Sequence, residues 1–121
     1  MVENVDILLC ATDSDTPVLR ADWLKPGIHI NIIGPNELDP ATIAKAETLA
    51  TDSIAQLKSH PKPEFILEKG YGDKIIDLSD FVIGKRKARQ SSNDITIFLS
   101  AGLAGTEVII ANEAMRLQAN L

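Results

Sequence analysis

Short apolar runs separated by polar loops recur along this chain and predict a parallel α/β sheet. Residues 5–11 form an apolar run of strand length, which stops at a polar loop closed by Pro17. A run of this kind is typical of a buried parallel strand. Residues 28–33 form a second such run, and further strands are predicted at residues 47–52 and 95–98. Helical patterns lie between the runs, and this alternation indicates βαβ units.

The predicted helices are located by their ends and by their apolar spacing. Pro40 stands at a favourable first helical position with Asp39 as its cap, so a helix is predicted over residues 41–46. Residues 102–117 are predicted to form one long helix with an apolar face that includes Val108 and Met115. The other predictions are a turn or short helix at 18–24, a short helix at 53–58, a loop at 59–63 and a helix at 75–83 ended by Gly84.

Length and composition agree with such a fold. At 121 residues the chain is expected to form a single domain, residues 1–121. Hydrophobic residues make up 45% of the chain but aromatic residues only 4%, which predicts a core of Ile, Leu, Val and Ala. No apolar run is long enough to cross a bilayer, so no membrane partner is expected.

Charge and cysteine content narrow the possible partners further. The formal net charge of −5 argues against nucleic-acid binding, and the basic cluster at residues 85–89 is interpreted as a solvated loop. The only cysteine, Cys10, lies inside the first predicted strand and is interpreted as a buried, inert thiol. Since no disulfide can form within the chain, a cytoplasmic location is expected. No pair of residues has the spacing of metal ligands, so no metal is predicted.

Three positions at the ends of predicted strands are candidates for ligand contact. Ligands of doubly wound sheets bind outside the carboxyl ends of the strands, which makes the hydroxyl-rich loop around Thr12 a candidate cofactor contact. Gly34 ends the second strand, and its missing side chain lets a ring or a phosphate approach the backbone. Ser100 lies between a strand and a helix start, where its hydroxyl and free amide groups could hold an anion or an amide. No glycine-rich phosphate-binding loop occurs in the 121 residues.

The order of several short motifs resembles that of one enzyme family. The motifs are the Thr/Ser loop after residues 5–11, Leu-Lys-Pro-Gly-Ile-His-Ile-Asn at 24–31, Gly34, Glu-Leu-Asp at 37–39, Asp-Ser at 52–53, Gly84 with Arg89, and Ile-Thr-Ile-Phe-Leu-Ser-Ala-Gly-Leu-Ala at 95–104. In this order they resemble the ornithine cyclodeaminase and mu-crystallin family. The resemblance covers nearly all of this chain but only the C-terminal part of a full family member.

The resemblance implies a fold class and a cofactor. The fold is expected to be α/β, a partial Rossmann-like parallel sheet (a half domain) with flanking helices and a long C-terminal helix. The cofactor is NAD or NADP, with Thr12 touching the dinucleotide, Ile33 and Gly34 beside the nicotinamide, and Ser100 on the nicotinamide side. The alternative interpretations are turn or helix capping for Thr12 and Ser100, and a tight turn for Gly34.

The chain departs from the family where proton transfer is expected. Ornithine cyclodeaminases carry an acid just after the glycine, whereas here Asn36 stands at or near that position. An amide cannot act as a general base, so Asn36 is predicted to be non-functional in catalysis. A lysine of the same loop is also missing. Glu37 and Asp39 lie nearby and are both interpreted as helix-start features rather than catalytic groups.

The resemblance implies an ancestral NAD(P)-dependent amino-acid or imino-acid oxidoreductase or deaminating cyclase, incomplete as an isolated chain. Without a glycine loop, the chain alone is expected to bind NAD(P) weakly or not at all. The alternatives are an enzyme completed by a separate N-terminal polypeptide, and a non-catalytic oligomeric binding or scaffold protein. A half sheet leaves a strand edge and an apolar helix face uncovered. A homodimer is therefore expected, formed through the edge at residues 5–11 or the helix at 102–117.

Overall fold

The computed structural model describes residues 4–34, 36–59, 72–103 and 105–119. Its strands are β1 (Ile7–Cys10), β2 (His29–Ile32), β3 (Thr48–Thr51), β4 (Ile75–Asp77) and β5 (Thr96–Leu99). They form one sheet in the order β1-β2-β5-β3-β4, and every pairing is parallel. The expected α/β fold class is therefore confirmed.

Strand β5 occupies the centre of the sheet although it is the last strand in the chain. It pairs with β2 on one side and with β3 on the other, so that Ile97 lies between Ile30 and Leu49. Because all strands run in the same direction, their carboxyl ends meet at one edge. This edge, called here the carboxyl edge, carries the loops that begin after Cys10, Ile32, Thr51 and Leu99.

The helices of the described chain are short except for the last. They are α1 (Pro40–Ala44), α2 (Ile54–Ser59), α3 (Leu78–Val82) and α4 (Thr106–Gln118), with a 3₁₀ turn at Ala21–Trp23. The predicted cap of α1 is confirmed, because the Asp39 carboxylate accepts a hydrogen bond of 2.6 Å from the Thr42 N–H. Asp77 caps α3 in the same way, accepting from the Ser79 N–H at 3.1 Å.

One face of the sheet forms an aliphatic core. Alternate residues of β2 and β5, among them Ile30, Ile32, Ile97 and Leu99, point to this face and are buried. Loop and helix residues pack against them and complete the cluster, including Leu19, Ile28, Leu38, Ile43 and Leu57. The predicted core composition is confirmed, and Cys10 is buried within the same cluster.

The predicted helix at residues 75–83 is wrong in its first half. Ile75 and Ile76 belong to strand β4, which pairs with β3, and the helix begins only at Leu78. The β-branched pair is better placed in a sheet, and Asp77 both ends the strand and caps the helix. The sheet therefore has five strands where four were predicted. His60 and most of the predicted loop at 59–63 lie outside the described residues.

The long helix begins later than predicted, at Thr106 rather than near Gly102. Gly102 and Gly105 have φ values of 75° and 97°, in the left-handed region that interrupts a helix. The predicted apolar face is also not packed against the described chain, since the Val108 side chain is 70% exposed. The helix thus presents its apolar residues to the surroundings.

The basic cluster is a solvated loop except at its last member. Lys85 and Arg86 are exposed and pair with Asp80. Arg89 instead donates hydrogen bonds to the carbonyls of Gly27 at 2.9 Å and Asp94 at 2.6 Å, and to the Thr96 hydroxyl at 3.0 Å. The interpretation of Arg89 as solvated was wrong, because its guanidinium joins the segments that lead into β2 and β5.

Ile30→Ala should lower the free energy of unfolding by about 2–5 kcal/mol, since Ile30 is fully buried and the loss of its side chain leaves a cavity. Urea unfolding monitored by circular dichroism measures this loss. Val82→Ala is the control, because that side chain is 78% exposed and should change stability by no more than about 0.5 kcal/mol. Equal effects of the two substitutions would contradict this location of the core.

Candidate site at the carboxyl edge

A buried carboxylate joins two loops at the carboxyl edge. Glu37 is 0% exposed, and both of its oxygens accept hydrogen bonds from the ends of neighbouring strands. Oε1 accepts from the Thr12 N–H at 2.5 Å and from the Thr12 hydroxyl at 2.9 Å. Oε2 accepts from the N–H groups of Ile33 at 3.0 Å and Gly34 at 2.8 Å. We call these four donors the Glu37 nest.

Gly34 allows the nest to close. A Cβ atom at this position would lie 3.0 Å from Glu37 Cγ and 3.2 Å from the carbonyl oxygen of Thr12. Any larger residue would therefore push the two loops apart. The carbonyl of Gly34 also accepts a bond of 3.3 Å from the Glu37 N–H, which folds the chain back so that the carboxylate reaches the amides.

The hydrogen bonds decide the ionisation of Glu37. Burial alone would raise the pKa of this carboxyl, but the bonds from Thr12, Gly34 and Ile33 outweigh it, and the pKa lies below its usual range. Glu37 is therefore an anion at neutral pH. Burial, and then the charge of Glu37, raise the pKa of the Cys10 thiol, which keeps that cysteine protonated.

A second carboxylate binds the loop that follows β5. Asp52 Oδ1 accepts from the N–H groups of Ala101 at 2.7 Å and Ser53 at 3.0 Å, and Oδ2 accepts from the Leu103 N–H at 3.0 Å. The Ser100 hydroxyl lies 3.5 Å from Oδ2. Burial would raise the pKa of Asp52, but the bonds from Ala101 and Leu103 outweigh it and lower the pKa.

These bonds correct the prediction of free amide groups around Ser100. The amides of Ala101 and Leu103 donate to Asp52, and the Ser100 N–H donates to the Ile32 carbonyl at 2.9 Å. With α4 beginning only at Thr106, no helix start adjoins Ser100. An anion at this position would meet the Asp52 carboxylate instead of free N–H groups, so a neutral or cationic group suits the Ser100 hydroxyl better than an anion.

The structure brings the predicted contact residues to one edge. Thr12 follows β1, Ile33 and Gly34 follow β2, and Ser100 follows β5. These three strands are adjacent in the sheet. Ile33 is 57% exposed and offers an apolar surface there. Asn36 is half-buried in the turn that precedes Glu37. Among the described residues, no group of three His, Cys, Asp or Glu side chains is placed to hold a metal ion.

The sequence motifs include both carboxylates, Glu37 and Asp52, but did not indicate which amides they bind. Capping is confirmed for Asp39, whereas Glu37 binds loop amides instead of the amides of α1. A usable signal for Glu37 was its position three residues after a strand-ending glycine, within reach of the amides that leave the sheet. Asp52 directly follows β3, so its carboxylate is also within reach of the amides that leave the sheet at this edge. Neither partner loop could be identified without the order of the strands.

A parallel sheet whose polar loops gather at the carboxyl edge defines a protein of the Rossmann-like class. The chain belongs to the ornithine cyclodeaminase/mu-crystallin family, whose model matches residues 1–115. The partial Rossmann-like fold expected from the sequence is confirmed by solved structures of this kind.

Three relatives illustrate the match. An alanine dehydrogenase of Archaeoglobus fulgidus is 33% identical over 114 residues, which are 88% of this chain and 35% of the relative. The Delta(1)-pyrroline-2-carboxylate reductase of Thermococcus litoralis, solved with NADH and L-proline, superposes with a TM-score of 0.76 and 31% identity, covering 98% of this chain and 40% of that one. An archaeal alanine dehydrogenase dimer with bound NAD gives a TM-score of 0.75 and 32% identity, covering 96% and 39%.

The chain thus spans between a third and two fifths of the length of the relatives that it matches. None of the helices that the structure describes is long and apolar enough to cross a membrane.

The lowered pKa of Asp52 predicts a specific loss of stability in acid. The contribution of this carboxylate is complete above the ordinary aspartate pKa of about 3.9 and disappears as the pH falls through the lower pKa of the folded state. Asp52→Asn should therefore be less stable than the wild type at neutral pH, with a smaller further loss on acidification. Urea unfolding at several pH values between about 6 and 3 measures both effects.

Asp15→Asn is the matched control, since Asp15 is exposed on the loop after β1 and should leave the wild-type pH profile unchanged. A profile that is identical in the wild type and Asp52→Asn would show that the bonds to Ala101 and Leu103 do not stabilise the fold.

Proposed function

We propose that this chain forms the nicotinamide side of an NAD(P) site in an amino-acid or imino-acid oxidoreductase. The observation that carries the proposal is the meeting of Thr12, Ile33, Gly34 and Ser100 at one edge of a sheet of this family. Support comes from two solved relatives, one described with NADH and L-proline and the other with bound NAD. The deaminating cyclase reaction of other family members is an alternative use of the same cofactor chemistry.

The residues at this edge fit a neutral ring and ribose better than a phosphate. The exposed apolar surface of Ile33 suits one face of a ring, whereas the space that a side chain at Gly34 would fill is taken by Glu37 and the Thr12 carbonyl. The hydroxyl hydrogen of Thr12 is directed to Glu37, so its oxygen is left as an acceptor. Together with the Ser100 hydroxyl, this oxygen would hold the nicotinamide half of the cofactor. When bound, the cofactor supplies the acceptor or donor of a hydride.

The chain supplies only one wall of such a site. A glycine-rich loop is absent from its sequence, and about 60% of each solved relative lies outside the match. We propose that the pyrophosphate and the substrate carboxylate are held by another part, in the same polypeptide or a separate one. Asn36 does not provide a general base, which makes this chain a cofactor-binding rather than a proton-transferring part. Its single buried cysteine suits the cytoplasm.

The second candidate is a non-catalytic oligomeric binding or scaffold protein. The favouring observation is the amount of exposed apolar surface: Ile7 and Leu9 of β1 are 63% and 70% exposed, and α4 exposes Val108, Ile109 and Ile110. Contiguous surfaces of this kind are sites of protein association. A homodimer formed through them is compatible with either candidate function.

The affinity for the cofactor should distinguish the chain alone, which has an incomplete site, from a mixture in which the site is completed. The chain alone should bind NADH or NADPH with a dissociation constant on the order of millimolar or weaker, because the pyrophosphate has no amide-lined loop. Mixing it with a polypeptide that carries the unmatched part of the Archaeoglobus fulgidus alanine dehydrogenase should strengthen binding at least about tenfold, or roughly 1.4 kcal/mol. Isothermal titration calorimetry measures both constants.

Variants of the mixture test the assigned residues. Thr12→Val and Ser100→Ala should each weaken NADH binding by up to about tenfold, since each removes one hydrogen bond. Ser79→Ala is the matched control, as this hydroxyl donates to Asp77 at the far edge strand. The chain alone should show no turnover of alanine, ornithine or a cyclic imine, and Asn36→Asp should not restore it. Micromolar NADH binding by the chain alone, or equal binding by all variants, would contradict the proposal.

Self-association is expected of the chain alone. Val108→Glu on α4 should shift a dimer towards monomer, because it puts a charge into the exposed apolar face. Thr106→Glu is the control, since it adds the same charge at an exposed polar position on the other side of the same helix. Sedimentation velocity at micromolar concentration measures the distribution. A wild-type chain that is monomeric under these conditions would refute the homodimer.

A further inference from the structure

The Glu37 nest has the form of an anion-binding site that already contains its anion. Three backbone N–H groups and one hydroxyl converge on two oxygens at distances of 2.5 to 3.0 Å. Converging loop amides of this kind bind phosphate and other anions in many proteins. Here the oxygens belong to the side chain of Glu37, which is fully buried beneath the loops.

Because Glu37 already occupies the nest, the carboxyl edge is less able to bind an anion from solution. A phosphate approaching Thr12 or Gly34 finds their N–H groups already donated and meets the charge of Glu37 behind them. Two exposed carboxylates of the same loop, Asp13 and Asp15, add to the repulsion. A neutral group meets no such repulsion and finds the acceptor oxygen of Thr12.

We infer that Glu37 is a specificity-determining positioning residue: a built-in anion that holds the loops of Thr12 and Gly34 together and excludes phosphate from this edge. This role rests on the proposed function, because it assigns the nicotinamide ring, which is neutral in NADH and cationic in NAD+, to the edge and leaves the pyrophosphate elsewhere. Glu37 touches no reacting atom and acts through the two loops.

The test is the creation of an external anion site by Glu37→Ala. This substitution frees the N–H and hydroxyl of Thr12 and the N–H of Gly34, and it leaves the Ile33 N–H with only its 3.2 Å bond to the Cys10 carbonyl. Inorganic phosphate, and acetate as a mimic of the removed side-chain group, should therefore both bind. At about 50 mM, each should raise the Tm of the variant by at least about 3 °C beyond chloride of equal ionic strength. Backbone amide signals of Thr12, Ile33 and Gly34 should shift with either anion in NMR spectra of the variant, but not in those of the wild type.

Asp39→Ala is the matched control, because it removes a carboxylate two residues away that caps α1 and is not part of the nest. It should lose stability without any specific response to phosphate or acetate. A phosphate response of the wild type, or no anion response of Glu37→Ala, would overturn the inference. A response to acetate alone would also overturn it, because shape rather than charge would then exclude phosphate.

A second measurement applies if Glu37→Ala does not fold. The NMR shift of the side-chain carboxyl carbon of Glu37 in the wild type should titrate with a midpoint below the ordinary glutamate pKa of about 4.3. A Glu37 that is protonated at about pH 5 would contradict the built-in anion. Neither experiment uses a nicotinamide cofactor. A wrong role for Glu37 can therefore be distinguished from a wrong proposed function, which the calorimetric measurement of NADH binding tests.

Discussion

Backbone N–H groups that leave a parallel sheet at its carboxyl edge need acceptors, and in this chain two carboxylates supply them. Glu37 accepts from the ends of β1 and β2, and Asp52 accepts from the loop after β5. N–H groups without partners would cost free energy, so the ionised carboxylates stabilise the conformation of these loops. The position of every candidate cofactor residue depends on these bonds.

The opposite edge of the sheet has the complementary arrangement. Carbonyl groups there need donors, and the Arg89 guanidinium donates to the carbonyls of Gly27 and Asp94. The same side chain reaches Thr96, whose hydroxyl lies 2.8 Å from His29 Nδ1. Burial, and then the charge of Arg89, lower the pKa of His29, so this histidine is neutral at physiological pH. Arg89 thus links the segments that lead into β2 and β5 at the edge opposite the candidate cofactor residues.

The second face of the sheet and the last helix carry exposed apolar residues that a partner could cover. Ile7 and Leu9 of the edge strand β1 and the apolar residues of α4 are exposed, while the other face of the sheet is packed. The chain spans two fifths of the solved Thermococcus litoralis relative, and exposed apolar surfaces of this kind are sites of protein association. This distribution of surface agrees with one wall of a shared site, and it is also why association is expected of the chain alone.

Sequence patterns by themselves determined the local elements and the family. Alternating apolar runs located β1, β2, β3 and β5, and Asp39-Pro40 marked the start of α1, because capping and strand burial act over a few residues. Ile75 and Ile76 were assigned to a helix because only pairing with β3 distinguishes their strand from a helical run. Tertiary structure alone decided that Glu37 lies beneath Thr12, 25 residues away in sequence, and that Asp52 takes up the amides after Ser100. Glu37 meets Thr12 because β1 pairs with β2, whereas Asp52 meets the loop after Ser100 because β5 inserts between β2 and β3. No local pattern records either pairing.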